Sequence, residues 1–124
     1  MASVRRFTQL RAWQACVRYK KAVYAISEVG PLATKLKKRT QLEDSVAGPP
    51  AHIAEGFGRF NPADFARFVV MARSSLMESQ NHLLDLVALR NARRARERRI
   101  ASRQERHSRR KNLEREPGSE NPEE

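Results

Sequence analysis

The sequence predicts an all-α chain, an up-down antiparallel helical bundle, on three observations. Apolar residues recur at three- and four-residue steps in two long segments, Leu10 to Val29 and Phe65 to Val87, the spacing that lines one face of a helix. Glycine and proline gather in the interior at only three places, Gly30-Pro31, Gly48-Pro49-Pro50 and Gly56 to Pro62, of which the first and last are short connections of the kind that joins antiparallel neighbours. Between Pro62 and Pro117 there is neither glycine nor proline, so nothing in that stretch forces a helix to stop.

The first helix is expected from about Leu10 to Val29. Leu10, Trp13, Cys16, Val17, Tyr19, Val23, Tyr24 and Ile26 form its apolar stripe, with Trp13 the core anchor because its ring buries so much surface. Thr8 would cap the start with Phe7 stapled just outside it, and Gly30-Pro31 would end it. The second segment opens at Pro31 and carries Leu32, Leu36, Leu42 and Val46, with Lys35, Lys37, Lys38 and Arg39 clustered early as a basic patch. Pro50 has no N–H for the carbonyl of Val46, so a break or strong kink is expected at Gly48-Pro49-Pro50, followed by a short helical piece from Ala51 to Glu55.

At the corner that follows, Gly56 and Gly58 suit the left-handed conformation that closes a helix, with Phe57 and Phe60 packed against the turn. Asn61-Pro62 reads as an N-cap and a first-turn proline, and Asp64 places a negative charge at the positive end of the new helix dipole. Phe65, Val69, Ala72, Leu76, Leu83 and Leu86 then follow a heptad, with Ser79 in its one polar slot, and Phe68, Leu84 and Val87 widen the stripe.

The chain of 124 residues is one domain's worth of sequence, and its large apolar side chains lie almost wholly in residues 1–89. A single cysteine, Cys16, excludes an internal disulfide framework and a multi-cysteine metal site within one chain. No apolar run exceeds five residues, as in Phe68 to Ala72, which supports neither a signal peptide nor a membrane span and leads to a cytoplasmic expectation. The net charge of +11 is uneven: residues 1–89 have 13 Lys and Arg against 7 Asp and Glu, net +6, and residues 90–116 have 12 against 4, net +8. Residues 117–124 carry three Glu and no Lys or Arg. The domain organisation expected is a helical bundle over 1–89, an Arg-rich extension over 90–116 and an acidic, disordered terminus over 117–124. The extension has no apolar stripe and reads as a solvated helix, a disordered basic tail, or a segment that orders on a polyanion.

Several spaced residues resemble the four-helix bundle family of 23S rRNA intervening sequence proteins, which is related to the accessory variability determinant of diversity-generating retroelements. They are Phe7, Leu10, Trp13-Gln14, Val23-Tyr24, Pro31 and Gln41; then Pro50-Ala51 and Ile53-Ala54-Glu55-Gly56-Phe57-Gly58-Arg59; then Phe65, Phe68, Ala72-Arg73, Ser75-Leu76 and Glu78. The resemblance spans about residues 7–89. His52 stands where the family usually has asparagine, Glu43-Asp44 where it tends to be basic, and Gly48-Pro49 where it has a helix-compatible pair. The family continues into a fourth amphipathic helix, which here is replaced by the Arg-rich run, either a functional basic tail or the product of a change of reading frame. A three-helix remnant would leave an apolar face that invites a partner chain or aggregation. The resemblance implies a non-enzymatic bundle without cofactors. By analogy with the retroelement relative, it also implies a homo-oligomer, a pentamer in that relative, that associates with nucleic acid and more remotely with a reverse transcriptase.

The positive charge independently points to a polyanion. Candidate contacts are Lys20 and Lys21 on the first helix, Lys35, Lys37, Lys38 and Arg39 on the second, and the arginines from Arg90 to Arg110, namely Arg90, Arg93, Arg94, Arg96, Arg98, Arg99, Arg103, Arg106, Arg109 and Arg110. They would neutralise phosphates without reading sequence, since no zinc finger, RNA-recognition aromatic motif or recognition helix is visible. The competing readings are a protein-interaction bundle whose charge only solubilises it, and a carboxylate–histidine metal bundle using His52 with Glu55 and Glu78 with His82, two pairs at helical spacing. Glu55 pairing with Arg59 or Arg73 is the plainer account of that carboxylate.

Overall fold

The computed structural model describes residues 3–115, and the acidic terminus lies outside them. These residues form three α-helices: α1 (Arg11–Ser27), α2 (Leu36–Gly58) and α3 (Pro62–Arg115). Single 3-10 turns precede α1 (Phe7–Gln9) and α2 (Gly30–Leu32). The chain divides into two compact units, one ending at Val87 and one beginning at Ala88. The first contains α1, α2 and the early part of α3; the second is the rest of α3.

Two apolar clusters hold the first unit together. Val23, Leu32, Leu42 and Val46 form one, with Tyr19, Leu83 and Leu86 against it. Cys16, Ile53 and Ala72 form the other, flanked by Leu10, Trp13, Phe65 and Leu76. Cys16 meets residues late in α2 while Val23 meets residues early in it, so α1 and α2 are antiparallel. By the same logic α3 runs against α2 and alongside α1. Trp13 does anchor a cluster, although it is only half-buried.

The expected break in α2 is absent: the helix is continuous through Pro49 and Pro50. Leu42, Val46, Pro49, Ile53 and Gly56 are spaced by alternating four and three residues and are all buried, so the prolines belong to the apolar stripe that packs the helix. Burying that stripe outweighs the backbone hydrogen bonds that two prolines forgo. Gly48 lacks the Cβ that would crowd the ring of Pro49, and it also sits close to α3, where an added Cβ would lie 3.2 Å from Ser75 Oγ. The helix starts at Leu36 rather than Pro31, because Gly30-Pro31-Leu32 is a separate turn in which Gly30 takes the left-handed conformation, φ 69°.

The corner after α2 also differs in detail. Gly56 and Gly58 are helical, and the left-handed residue is Phe60, φ 53° and 88% exposed. Gly56 is instead required by proximity: a Cβ there would lie 2.6 Å from Phe68 Cβ. Phe57 packs edge-on to Phe65, 6.5 Å between centroids. The start of α3 follows the expected chemistry, with Asn61 Oδ1 accepting from the N–H groups of Ala63 (2.9 Å) and Asp64 (3.3 Å). Thr8 does not cap α1. Leu10 occupies that position without a side-chain bond, and Thr8 lies in the preceding turn, where its carbonyl accepts from Gln14 Nε2 at 3.0 Å. Phe7 packs edge-on to Trp13 at 5.4 Å.

Candidate nucleic-acid interface

The basic residues predicted to touch phosphate fall into two groups with different fates. In the first unit, Lys21, Lys37 and Lys38 are exposed, Lys20 is half-buried, and Lys35 occupies the N-cap position of α2. Arg39 is not available in the same way. Its Nε donates to Glu43 Oε1 at 2.8 Å, and the same oxygen accepts from Ser27 Oγ at 2.7 Å. Ser27 is fully buried and also donates to the carbonyl of Tyr24 at 2.8 Å. This chain ties α2 to the end of α1 and holds the Glu43 carboxyl below the usual glutamate range, first through the Arg39 hydrogen bond and then through Ser27. Sequence reading missed it; the signal was the four-residue spacing of Arg39 and Glu43.

In the second unit every residue from Arg90 to Arg115 is exposed except Ser102, and all of it is helical. Arg90, Arg93, Arg94, Arg96, Arg98, Arg99, Arg103, Arg106, Arg109, Arg110, Lys111 and Arg115 thus stand on one continuous helix, opposed among the described residues only by Glu97, Glu105 and Glu114. Two pairs form, Arg93 with Glu97 at 3.1 Å and Arg110 with Glu114 at 3.0 Å.

The residues that carry the family resemblance serve packing. Phe68 is the hub: it is buried, sits against Gly56, lies 6.4 Å from the ring of His52, and is covered by the guanidinium groups of Arg59 and Arg67 at 5.2 and 5.6 Å from its centroid. Arg59 also pairs with Glu55 at 3.0 Å, leaving Arg73 without an ion pair among the described residues. Pro50, Ile53 and Ala72 are buried and Ala54 and Ser75 are half-buried, whereas Gln14 and Tyr24 are exposed, Gln14 donating to the Thr8 carbonyl and Tyr24 accepting from Ser27 through its own carbonyl. Nothing in the structure explains a glycine at position 58, where a Cβ would meet open space.

The metal pairs are not assembled into a larger site. His52 lies against Phe68 while Glu55 turns to Arg59, and Glu78 lies 3.5 Å from His82 without a hydrogen bond, leaving His82 Nε2 buried and unpartnered. No group of three or more His, Cys, Asp and Glu able to hold a metal occurs among the described residues. No helix among them is long and apolar enough to cross a membrane.

Compared with known proteins, the chain matches the family model for the 23S rRNA-intervening sequence protein over residues 8–112. No curated protein and no solved structure matches it. The match runs well past Leu89, so most of the arginine-rich helix lies inside the family span and not beyond it. Matched over far more than half its length, the chain belongs to the 23S rRNA-intervening sequence protein family.

Proposed function

We propose that this protein is a non-enzymatic, homo-oligomeric helical bundle that associates with nucleic acid without reading sequence. The observation that carries the reading is the second unit, where 12 Lys and Arg stand on one exposed helix with few acidic neighbours. Eleven of those cations are arginine. A surface built only for solubility needs neither that bias nor that imbalance of sign, whereas the planar guanidinium fork suits phosphate. Contacts of this kind position a protein on a backbone and carry no sequence information.

Assembly is supported by what the first unit leaves uncovered. Val70, Met77, Leu84 and Val87 on α3 repeat at seven- and three-residue steps and are 62%, 55%, 68% and 54% exposed. A second apolar stripe of that spacing is the kind a fourth helix covers, and with three helices in the described chain a neighbouring copy supplies the cover. The test is mass determination in solution, by sedimentation or light scattering, with and without RNA. A multiple of the 14.2 kDa chain that grows further with RNA supports both parts. A monomer unchanged by RNA at low salt overturns them.

A further inference from the structure

The arginines of the second unit are not spread evenly round their helix. At about 100° per residue, the seven arginines between positions 96 and 110 fall within an arc of about 160°. The rest of the circumference over that length holds Glu97, Ile100, Gln104, Glu105 and His107 with two small residues, and no arginine. Within the arc, Arg96, Arg99, Arg103, Arg106 and Arg110 follow steps of three, four, three and four, which makes a straight row. Arg98 and Arg109 flank it. The other five cations of the unit, Arg90, Arg93, Arg94, Lys111 and Arg115, all lie off the arc. Among the described residues, Arg110 is the one member of the row in an ion pair.

We infer that this row is a docking face for double-stranded nucleic acid, laid along the phosphate backbone. The inference rests on the nucleic-acid reading above and adds the face and the form of the ligand. The row is about 21 Å long, a length over which each strand of a duplex carries about six phosphates, so a rigid array of charge meets a rigid array of opposite charge. Single strands are gripped differently, by aromatic side chains on which bases stack, and residues 69–124 contain no Phe, Tyr or Trp. Over the length of the row the opposite face carries Glu97 and Glu105, which phosphate would repel, and the five off-arc cations lie before and beyond it. Docking along the row is therefore one-sided.

Two full-length variants that lose equal charge separate the row from the total charge. One replaces the five row arginines by Gln, and the other replaces Arg90, Arg93, Arg94, Lys111 and Arg115 by Gln. Each is titrated with a 24-base-pair B-DNA duplex across a salt series, with circular dichroism as the check on helicity. Loss of five phosphate contacts flattens the slope of log K against log salt by about 4.5, so the row variant shows that change and the off-row variant stays within about 1 of wild type. Replacing the row by Lys preserves the slope. If the row variant loses helicity, single Gln substitutions serve instead, each costing about 0.9 of slope on the row and close to nothing off it. Equal losses in the two five-fold variants overturn the inference while leaving nucleic-acid binding intact. Tenfold tighter binding of a single strand of equal length, or row-dependent binding to anionic lipid vesicles in place of the duplex, also overturns it. Wild-type protein that binds no nucleic acid at low salt overturns instead the reading on which the inference rests.

Discussion

Residues 3–87 and residues 88–115 are both helical, yet they are held by different means. In the first unit each helix owes its position to side chains it shares with the others: Leu42 and Val46 are 1% and 0% exposed, and Ser79 of α3 is buried and bonded to Tyr19 of α1 at 2.8 Å. In the second unit helix is favoured by residue type, with Arg, Ala, Glu and Gln throughout, and by i,i+4 pairs such as Arg93 with Glu97. One region uses its side chains to fold. The other leaves them exposed.

The two regions should therefore respond in opposite ways to mutation. The largest effect is expected for Leu42→Ala, which empties a fully enclosed site and should cost about 2–5 kcal/mol in denaturant unfolding. Gly56→Ala comes next, because the new methyl lands on Phe68 Cβ at 2.6 Å. Overpacking of this kind costs about 1–3 kcal/mol, whereas Gly58→Ala, facing open space in the same helix, should be neutral or stabilising by up to about 1 kcal/mol. Equal effects at the two glycines would refute the close-approach account of position 56. Ser79→Ala strands the Tyr19 hydroxyl and is expected to cost about 1–2 kcal/mol, with Ser79→Thr no substitute in so tight a site.

Glu43 supplies a pH-dependent version of the same contrast. Its pKa is lowered in the folded state, so the stability it contributes is present above the usual glutamate pKa of about 4.3 and is lost as pH falls through the lower folded value. Glu43→Gln should lower the melting temperature at pH 7 and leave it unchanged near pH 2, read by thermal melts at both. The smallest effect on folding is expected in the second unit, where Arg99→Gln should change stability by less than about 0.5 kcal/mol.

Much of this was legible in the sequence, and the misses have a common cause. The heptad from Phe65 and the Asn61-Pro62-Asp64 start of α3 are local signals, and the structure follows them except at Val69, which is exposed, as are Leu84 and Val87 beside the stripe. The break at Gly48-Pro49-Pro50 was a local inference too, but tertiary packing overrode it once both prolines proved to lie on the buried stripe. Gly56 was read as a turn glycine because sequence shows a residue's neighbours in the chain and not the Phe68 ring pressed against it. At the candidate interface, sequence supplied the cations but could not show that Arg39 is held by Glu43. The arginine row of α3 became readable only when residues 90–115 proved to be one helix.

Binding of nucleic acid by the second unit through phosphate contacts, as proposed, is read out by the salt dependence of binding by the intact wild-type chain. With five or more phosphates neutralised on duplex DNA, the slope of log K against log salt should be about −4.5 or steeper. A slope near zero would contradict it.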